Sequence, residues 1–262
     1  ESLEALYRKA EASNALPAYI PPKKHPNTQA ECLLLSDLHY GKEIDIGFNL
    51  YNFDVARQRT SMICHNFIDV LGYCRPQIDV DEIRLICAGD FVEGENIFET
   101  QPHHIVSDAV SQVTAATESI WEDLIAPLKK HVGNIPIILD CVRGNHGRIT
   151  KQSDERSNMD VMLYYNLALI AKHSGMKNIY FNISNNAWVN FEIKGHKCMA
   201  QHQGTIQDET PSARAKILGW GKIHDGLGLA CFAHYHNPSF GIVNGIRVFH
   251  NGCLSGIDDL SV

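Results

Sequence analysis

Asp37-Leu38-His39 closes the apolar run LLLS and opens a series of acid, amide and imidazole side chains placed where apolar runs end. Asp90 follows Gly89 after EIRLICA, and Asn145 and His146 follow Gly144 after IPIILDCV. His202 stands in AQHQG, and His234 and His236 in AHYH. In extended backbone, residues i and i+2 share a side, so Asp37 and His39 are expected to aim at one point, as two ligands of one ion would. The donors are oxygen and nitrogen with no thiolate, a set that suits Mn, Fe, Zn or Co and suits a calcium site poorly. They are too many for one ion. Two ions about 3.5–4 Å apart would use them all if one carboxylate bridged. Asp90, midway in the series, is the expected bridge. Gly89, Gly144 and Gly147 flank these donors and let the backbone turn sharply beside a ligand.

The elements that must position them follow from periodicity. Residues 1–29 read as a peripheral arm: a short amphipathic helix in ESLEALYRKAEAS, then a proline-rich stretch. Residues 30–262 read as a single domain. Its first half alternates near-continuous apolar strands (ECLLLS, EIRLICA at 82–88, IPIILDCV at 135–142) with helical patterns over about 53–73, 106–131 and 157–174. The last of these helices is expected to start at Ser157, with Asp160 completing an approximate capping box, and to stop at Gly175. The second half is a run of short strands, with NIYFNIS first, a hairpin around Asn244-Gly245 and a single helix near 211–219. The pattern predicts an α/β fold in which a two-sheet β-sandwich is flanked by helices.

Bulk properties narrow the classes. The chain has 262 residues, 44% of them hydrophobic, and a net charge of −7, which argues against a broad basic face that grips nucleic acid by charge alone. Bound cations would offset that charge locally, so a nuclease stays open. No apolar run reaches the roughly 18 residues of a membrane span. The eight cysteines show no CxxC pair, and most are expected to be small core residues in a reducing compartment, which points to the cytoplasm.

In order, the motifs are D-x-H, G-D, G-N-H, a lone H and x-H-x-H, over about residues 32–252. That series resembles the calcineurin-like metallophosphoesterase superfamily. The resemblance implies a four-layer fold and a dinuclear centre: one ion on Asp37, His39, Asp90 and His236, the other on Asp90, Asn145, His202 and His234. It gives Asp90 and His146 the catalytic positions, with His146 contacting the phosphate or protonating the leaving group. Manganese is the first choice of metal, with Fe, Zn, Co or Ni as alternatives. Ala233 replaces the glycine before the last His pair, and Gly147 stands where many members carry an acid. GDFVEG lacks the arginine of the protein Ser/Thr phosphatases. GDFVEGENIFETQ is more similar to the nuclease side, including SbcD-type exonucleases and the small subunit of archaeal family-D polymerase.

The expected reaction is hydrolysis of a phosphodiester bond in nucleic acid, by in-line attack of a metal-bound hydroxide. Arg148 and His103 are the expected substrate contacts. Arg143, Lys151 and Arg156 share the charged loop around G-N-H, and Phe98 and Tyr40 are candidates for base stacking. Two alternatives stand beside this: a phosphodiesterase or phosphatase acting on a small, for instance cyclic, nucleotide, and a non-catalytic scaffold subunit. A homodimer or a partner subunit is compatible with either; a membrane partner is not expected.

Overall fold

The computed structural model describes residue 19, residues 28–204 and residues 211–257. Apart from Tyr19, Thr28 and Gln29, the arm expected over 1–29 lies outside the described residues. Strand β1 (Thr28–Leu35) is followed by a small ribbon of β2 (Ile44–Asp45) and β3 (Leu50–Tyr51), then helix α1 (Phe53–Cys74) and strand β4 (Asp79–Cys87). Helix α2 (Ala109–Ser119) continues through a wider π segment, Ile120–Ile125, into α3 (Ala126–Val132). Thus the helix read over 106–131 is one composite rod. Strand β5 (Ile137–Cys141), helix α4 (Met159–His173) and strand β6 (Ile179–Ile183) complete the first half. The second half holds β7 (Trp188–Ile193), β8 (His196–Gln203), α5 (Pro211–Ile223), β9 (Leu227–Ala233), β10 (Ser239–Val243) and β11 (Ile246–His250).

The strands form two main sheets, in the orders β1-β4-β5-β6 and β10-β11-β9-β8-β7. The first is parallel throughout, and β6 belongs to it rather than to the mixed second sheet, although the sequence groups it with the later strands. Alternation along β4 shows why both faces are apolar. Ile83, Leu85 and Cys87 join the helix-side core with Leu71, Leu124, Leu128 and Leu163, while Ile86 turns to Val142, Ala200 and Cys231 between the sheets. A third core lies on the far face of the second sheet, where Ile217 and Trp220 of α5 cover Met199 and Phe232. The layers are therefore helix, sheet, sheet, helix, as the sequence predicts. The β10–β11 hairpin turns at Asn244 and Gly245, with φ of 51° and 80°, the pair of left-handed residues a tight hairpin uses.

Helix α4 starts one residue later than the capping reading placed it. Asn158 is the cap, and its side chain accepts from the Asp160 backbone N–H. That frees the Asp160 carboxylate for another task, described below. Among the described residues, no helix is long and apolar enough to cross a membrane.

Candidate metal centre

The donors read from the sequence meet at one end of the sandwich: His202 next to the last residue of β8, the others just past the carboxyl ends of β1, β4, β5 and β9. The route differs from the period-2 argument. Asp37 and His39 lie beyond β1, both in left-handed backbone at φ 52° and 49°, and Asp90, His234 and His236 share that conformation at 53°, 76° and 58°. Asp and His tolerate it better than branched residues do. Each turn swings a side chain off the strand direction and into the centre. The loops are tied by Asp37 N–H donating to Gly89 O, His39 N–H to Asp90 O and Tyr40 N–H to Phe91 O. Gly89 and Gly144 are packed so closely that a Cβ on the first would strike the backbone of the second, and a Cβ on the second would strike Asp90.

Both carboxylates have one oxygen tied and one open. Asp37 Oδ2 accepts from Ser36 Oγ at 2.6 Å and from His234 N at 3.2 Å, and Ser36 is itself held by Asn251. Asp90 Oδ1 accepts from His146 N at 2.8 Å. The other oxygens, Asp37 Oδ1 and Asp90 Oδ2, are buried and are met only by imidazole nitrogens. The imidazoles are oriented to match. His202 Nδ1 donates to Ala88 O at 2.7 Å, which turns Nε2 towards Asp90 Oδ2, 2.8 Å away. His39 sets Nδ1 against Glu93 Oε2 at 2.7 Å and turns Nε2 inward. This use of one ring nitrogen to fix the other is the usual support of a metal-ligating histidine.

Distances fit an ion. His39 Nε2, His236 Nε2 and Asp37 Oδ1 form a triangle with edges of 3.3, 3.3 and 3.8 Å. Ligands bonded at 2.0–2.1 Å in a tetrahedron lie about 3.3 Å apart. A second group, Asp90, His202 and His234, has its ligand atoms within 4.8 Å of one another, and Asp90 also falls within that distance of Asp37 and His39. Open carboxylate oxygens at zero to 1% exposure are costly unless a cation answers them. The residues present fit divalent metal.

Ionisation in the metal-free chain follows from the same contacts. Burial pushes Asp90 up, but the charges of His202 and His146 hold it well below the usual carboxylate range. Burial alone would lower His146 and His202, yet the Asp90 charge, together with Glu93 for the first, raises each to about 9. Burial likewise opposes His236, which Asp37 and Cys253 lift to about 10.

Asn145 and Arg148 line a cavity of about 100 Å³ with His202, Arg143 and Gln203. Asn145 is buried, and its Oδ1 accepts from Gln203 Nε2 at 3.3 Å, while Arg148 Nε donates to Asn145 O at 3.1 Å. His103 is not drawn in: it stands exposed on the 3-10 turn Gln101–His103, and its neighbour Gln101 takes the inner place, with Nε2 3.4 Å from His146 Nδ1. Tyr40 cannot stack on a ligand, because it is 1% exposed and its hydroxyl bonds Thr60 and Ser119. Phe98 can, at 44% exposure, with its ring 4.8 Å from that of His146. Arg143 is paired with Glu155 and Arg156 with Asp154, which leaves Arg148 facing the cavity.

Three side chains at the centre were not read from the sequence as part of the site. Glu93, 5% exposed, spans His39 and His146, with Oε1 3.2 Å from His146 Nδ1. Its only signal is its place three residues after Asp90. Asp160, fully buried, accepts from Asp90 N at 3.0 Å, Phe91 N at 3.0 Å and Gly144 N at 2.8 Å, pinning the G-D loop to the G-N-H loop. Cys253 places its sulfur within 4.8 Å of ring nitrogens of His39 and His236.

No protein-family model matches the chain, and no curated protein does. Among solved structures, it is similar to an archaeal phosphodiesterase, with 14% identity over 86% of this chain and 85% of that one and a TM-score of 0.41. A phosphopantetheinyl hydrolase from Mycobacterium tuberculosis gives 10% identity over 87% and 91%, with a TM-score of 0.40. A predicted phosphoesterase from Streptococcus pneumoniae gives 12% identity over 85% and 71%, with a TM-score of 0.31. Each of these three proteins is named as a phosphoesterase or a hydrolase.

Proposed function

We propose that the chain is a metal-dependent phosphoesterase that cleaves phosphodiester bonds, with nucleic acid as substrate. One observation carries the reading: the buried oxygens Asp37 Oδ1 and Asp90 Oδ2 are met only by imidazole nitrogens, those of His236 and His39 for the first and of His202 for the second. Asp37, His39, Asp90 and His236 would hold one ion, and Asp90, Asn145, His202 and His234 a second, with manganese, iron, zinc, cobalt or nickel as candidates. When bound, such ions polarise a phosphoryl oxygen and lower the pKa of water towards about 7.

The protein's own groups do the rest. His146, whose Nδ1 lies 3.2 Å from Glu93 Oε1, is placed to give a proton to the leaving oxygen. Arg148, at the rim of the cavity beside Asn145, can pair with a phosphate oxygen. Phe98 offers an exposed ring beside His146 on which a base can stack. The net charge of −7 favours a second reading, a small nucleotide in place of a long duplex.

The test is Mn²⁺-dependent hydrolysis by the metal-stripped, reloaded chain. The substrates are bis-p-nitrophenyl phosphate, single-stranded DNA and a cyclic mononucleotide. Cleavage of the chromogenic diester and DNA, lost in Asp90→Asn, supports the nuclease reading. Cyclic-nucleotide turnover with DNA untouched moves the substrate to the small nucleotide. An Asp90→Asn variant with near-normal rates would overturn the assignment of Asp90.

A further inference from the structure

Cys253 lies three residues past β11, in a turn that returns over the β1 loop. The turn is built in place. Leu254 N–H donates to Asp37 O at 3.0 Å, Cys253 Sγ sits 3.4 Å from that same oxygen, and Asn251 binds both Phe232 O and Ser36 Oγ. Arg59 reaches across to hold Leu254 O at 2.6 Å. The sulfur is thereby delivered to the side of the centre where His39, His236 and Asp37 Oδ1 converge. His39, His236 and Cys253 have one ligand atom each within 4.8 Å of the others, and Asp37 Oδ1, fully buried, is met only by imidazole nitrogens, with His236 Nε2 3.3 Å away.

We propose that Cys253 is a thiolate ligand of the ion held by Asp37, His39 and His236. The inference rests on the metal-centre reading above and adds to it a donor of a different chemical kind. A bond of about 2.3 Å to sulfur and of 2.0–2.1 Å to nitrogen places the two donors about 3.6 Å apart in a tetrahedron. On binding, the thiol releases its proton to solvent and the sulfur lone pair bonds the ion; nothing is oxidised. Such a mixed sulfur, nitrogen and oxygen set favours zinc, iron(II) or cobalt(II) over manganese or magnesium at this position. The second group, Asp90, His202, His234 and Asn145, has only nitrogen and oxygen. The centre is thus asymmetric, with a softer ion on the Cys253 side and a harder one beside the cavity.

Cobalt(II) titration of the metal-stripped chain tests this without any hydrolysis assay. The wild-type chain is expected to develop the near-ultraviolet thiolate-to-cobalt charge-transfer band together with the visible bands of bound cobalt. Cys253→Ser should keep the visible bands and lose the charge-transfer band. Its zinc affinity should fall at least about tenfold, the scale on which support of a ligand set is felt. Its manganese affinity should change by less than about threefold, because manganese draws little from sulfur. Cys253→Ala, with folding followed by circular dichroism, separates loss of ligand from loss of structure. Cobalt bound by the wild type without a charge-transfer band would overturn the proposal and leave the metal centre standing. Such a cysteine would then serve only as a neighbour of the His236 ring. A wild-type chain that binds no cobalt would overturn the metal centre itself, and this ligand with it.

Discussion

Replacing Glu93 by Gln changes one atom's chemistry between two imidazoles and leaves the shape alone. Oε2 lies 2.7 Å from His39 Nδ1, and Oε1 lies 3.2 Å from His146 Nδ1. An amide retains one oxygen, so one of the two rings must face an NH₂ group that also donates. In the metal-free chain His146 is raised from 6.5 to about 9, which corresponds to roughly 3 kcal/mol. Burial works against it; the Asp90 charge leads the groups that raise it, and Glu93 follows. Loss of the Glu93 charge predicts that His146 falls part of the way back towards 6.5 in Glu93→Gln. The direct assay is an NMR titration of the His146 ring in the metal-free variant. The kinetic assay is the pH profile of kcat/KM, whose alkaline limb should move to lower pH by a similar amount. Loss of the carboxylate behind His39 should also weaken metal binding by about 10–100-fold, as removal of a ligand's outer partner does. A His146 pKa within about 0.3 units of wild type, together with unchanged metal affinity, would refute the argument that Glu93 couples the two histidines.

Three further outcomes are expected. Asp160→Ala leaves the N–H groups of Asp90, Phe91 and Gly144 buried without an acceptor; at about 1–3 kcal/mol each, the urea midpoint should report a loss of several kcal/mol, and a loss below about 1 kcal/mol would show that water or rearrangement replaces the carboxylate. Gly144→Ala forces a Cβ against Asp90, at about 1–3 kcal/mol of overpacking, and should lower metal affinity, whereas Gly72→Ala, in open space on α1, should be neutral or stabilising by up to about 1 kcal/mol. In the metal-free chain His146, His202 and His236 are all raised above 6.5, to about 9, 9 and 10, so the stability they contribute is full below pH 6.5 and is lost as pH climbs through 9 to 10. The Tm of the metal-free protein should therefore fall between pH 7 and 10, and the apparent metal affinity should rise over the same range as ions displace those protons; a Tm independent of pH there would refute the pairing.

The layers were legible because burial on both faces leaves a direct trace: ECLLLS, EIRLICA and IPIILDCV are apolar at nearly every position. Strand β6 was less so, since NIYFNIS reads equally well as a strand of either sheet, and only pairing with β5 decides. The donor motifs were legible because they fall at strand ends, most of them opened by a small residue (Ser36, Gly89, Gly144, Ala233); His202, between two glutamines, is the exception. Their geometry was not. The alternation rule predicts a convergence of Asp37 and His39 that the chain reaches through left-handed backbone, a conformation with no side-chain pattern to announce it.

The residues that hold the donors in place were hidden for a related reason. Asp160 looks like the acidic partner, three residues on, of a Ser157 helix cap, and a cap is indeed present; yet Asn158 supplies it, and the carboxylate instead organises loops 70 and 16 positions away in sequence. Glu93 and Cys253 act on rings that the fold, not the local sequence, brings beside them. A histidine at a strand end declares a donor, while the group that orients it is fixed only by closure of the sandwich. That asymmetry explains why the sequence points to oxygen and nitrogen donors, while the sulfur of Cys253 comes beside His39 and His236 only in the fold. The distinction is chemical: if an ion is held there, Cys253 bears on which one.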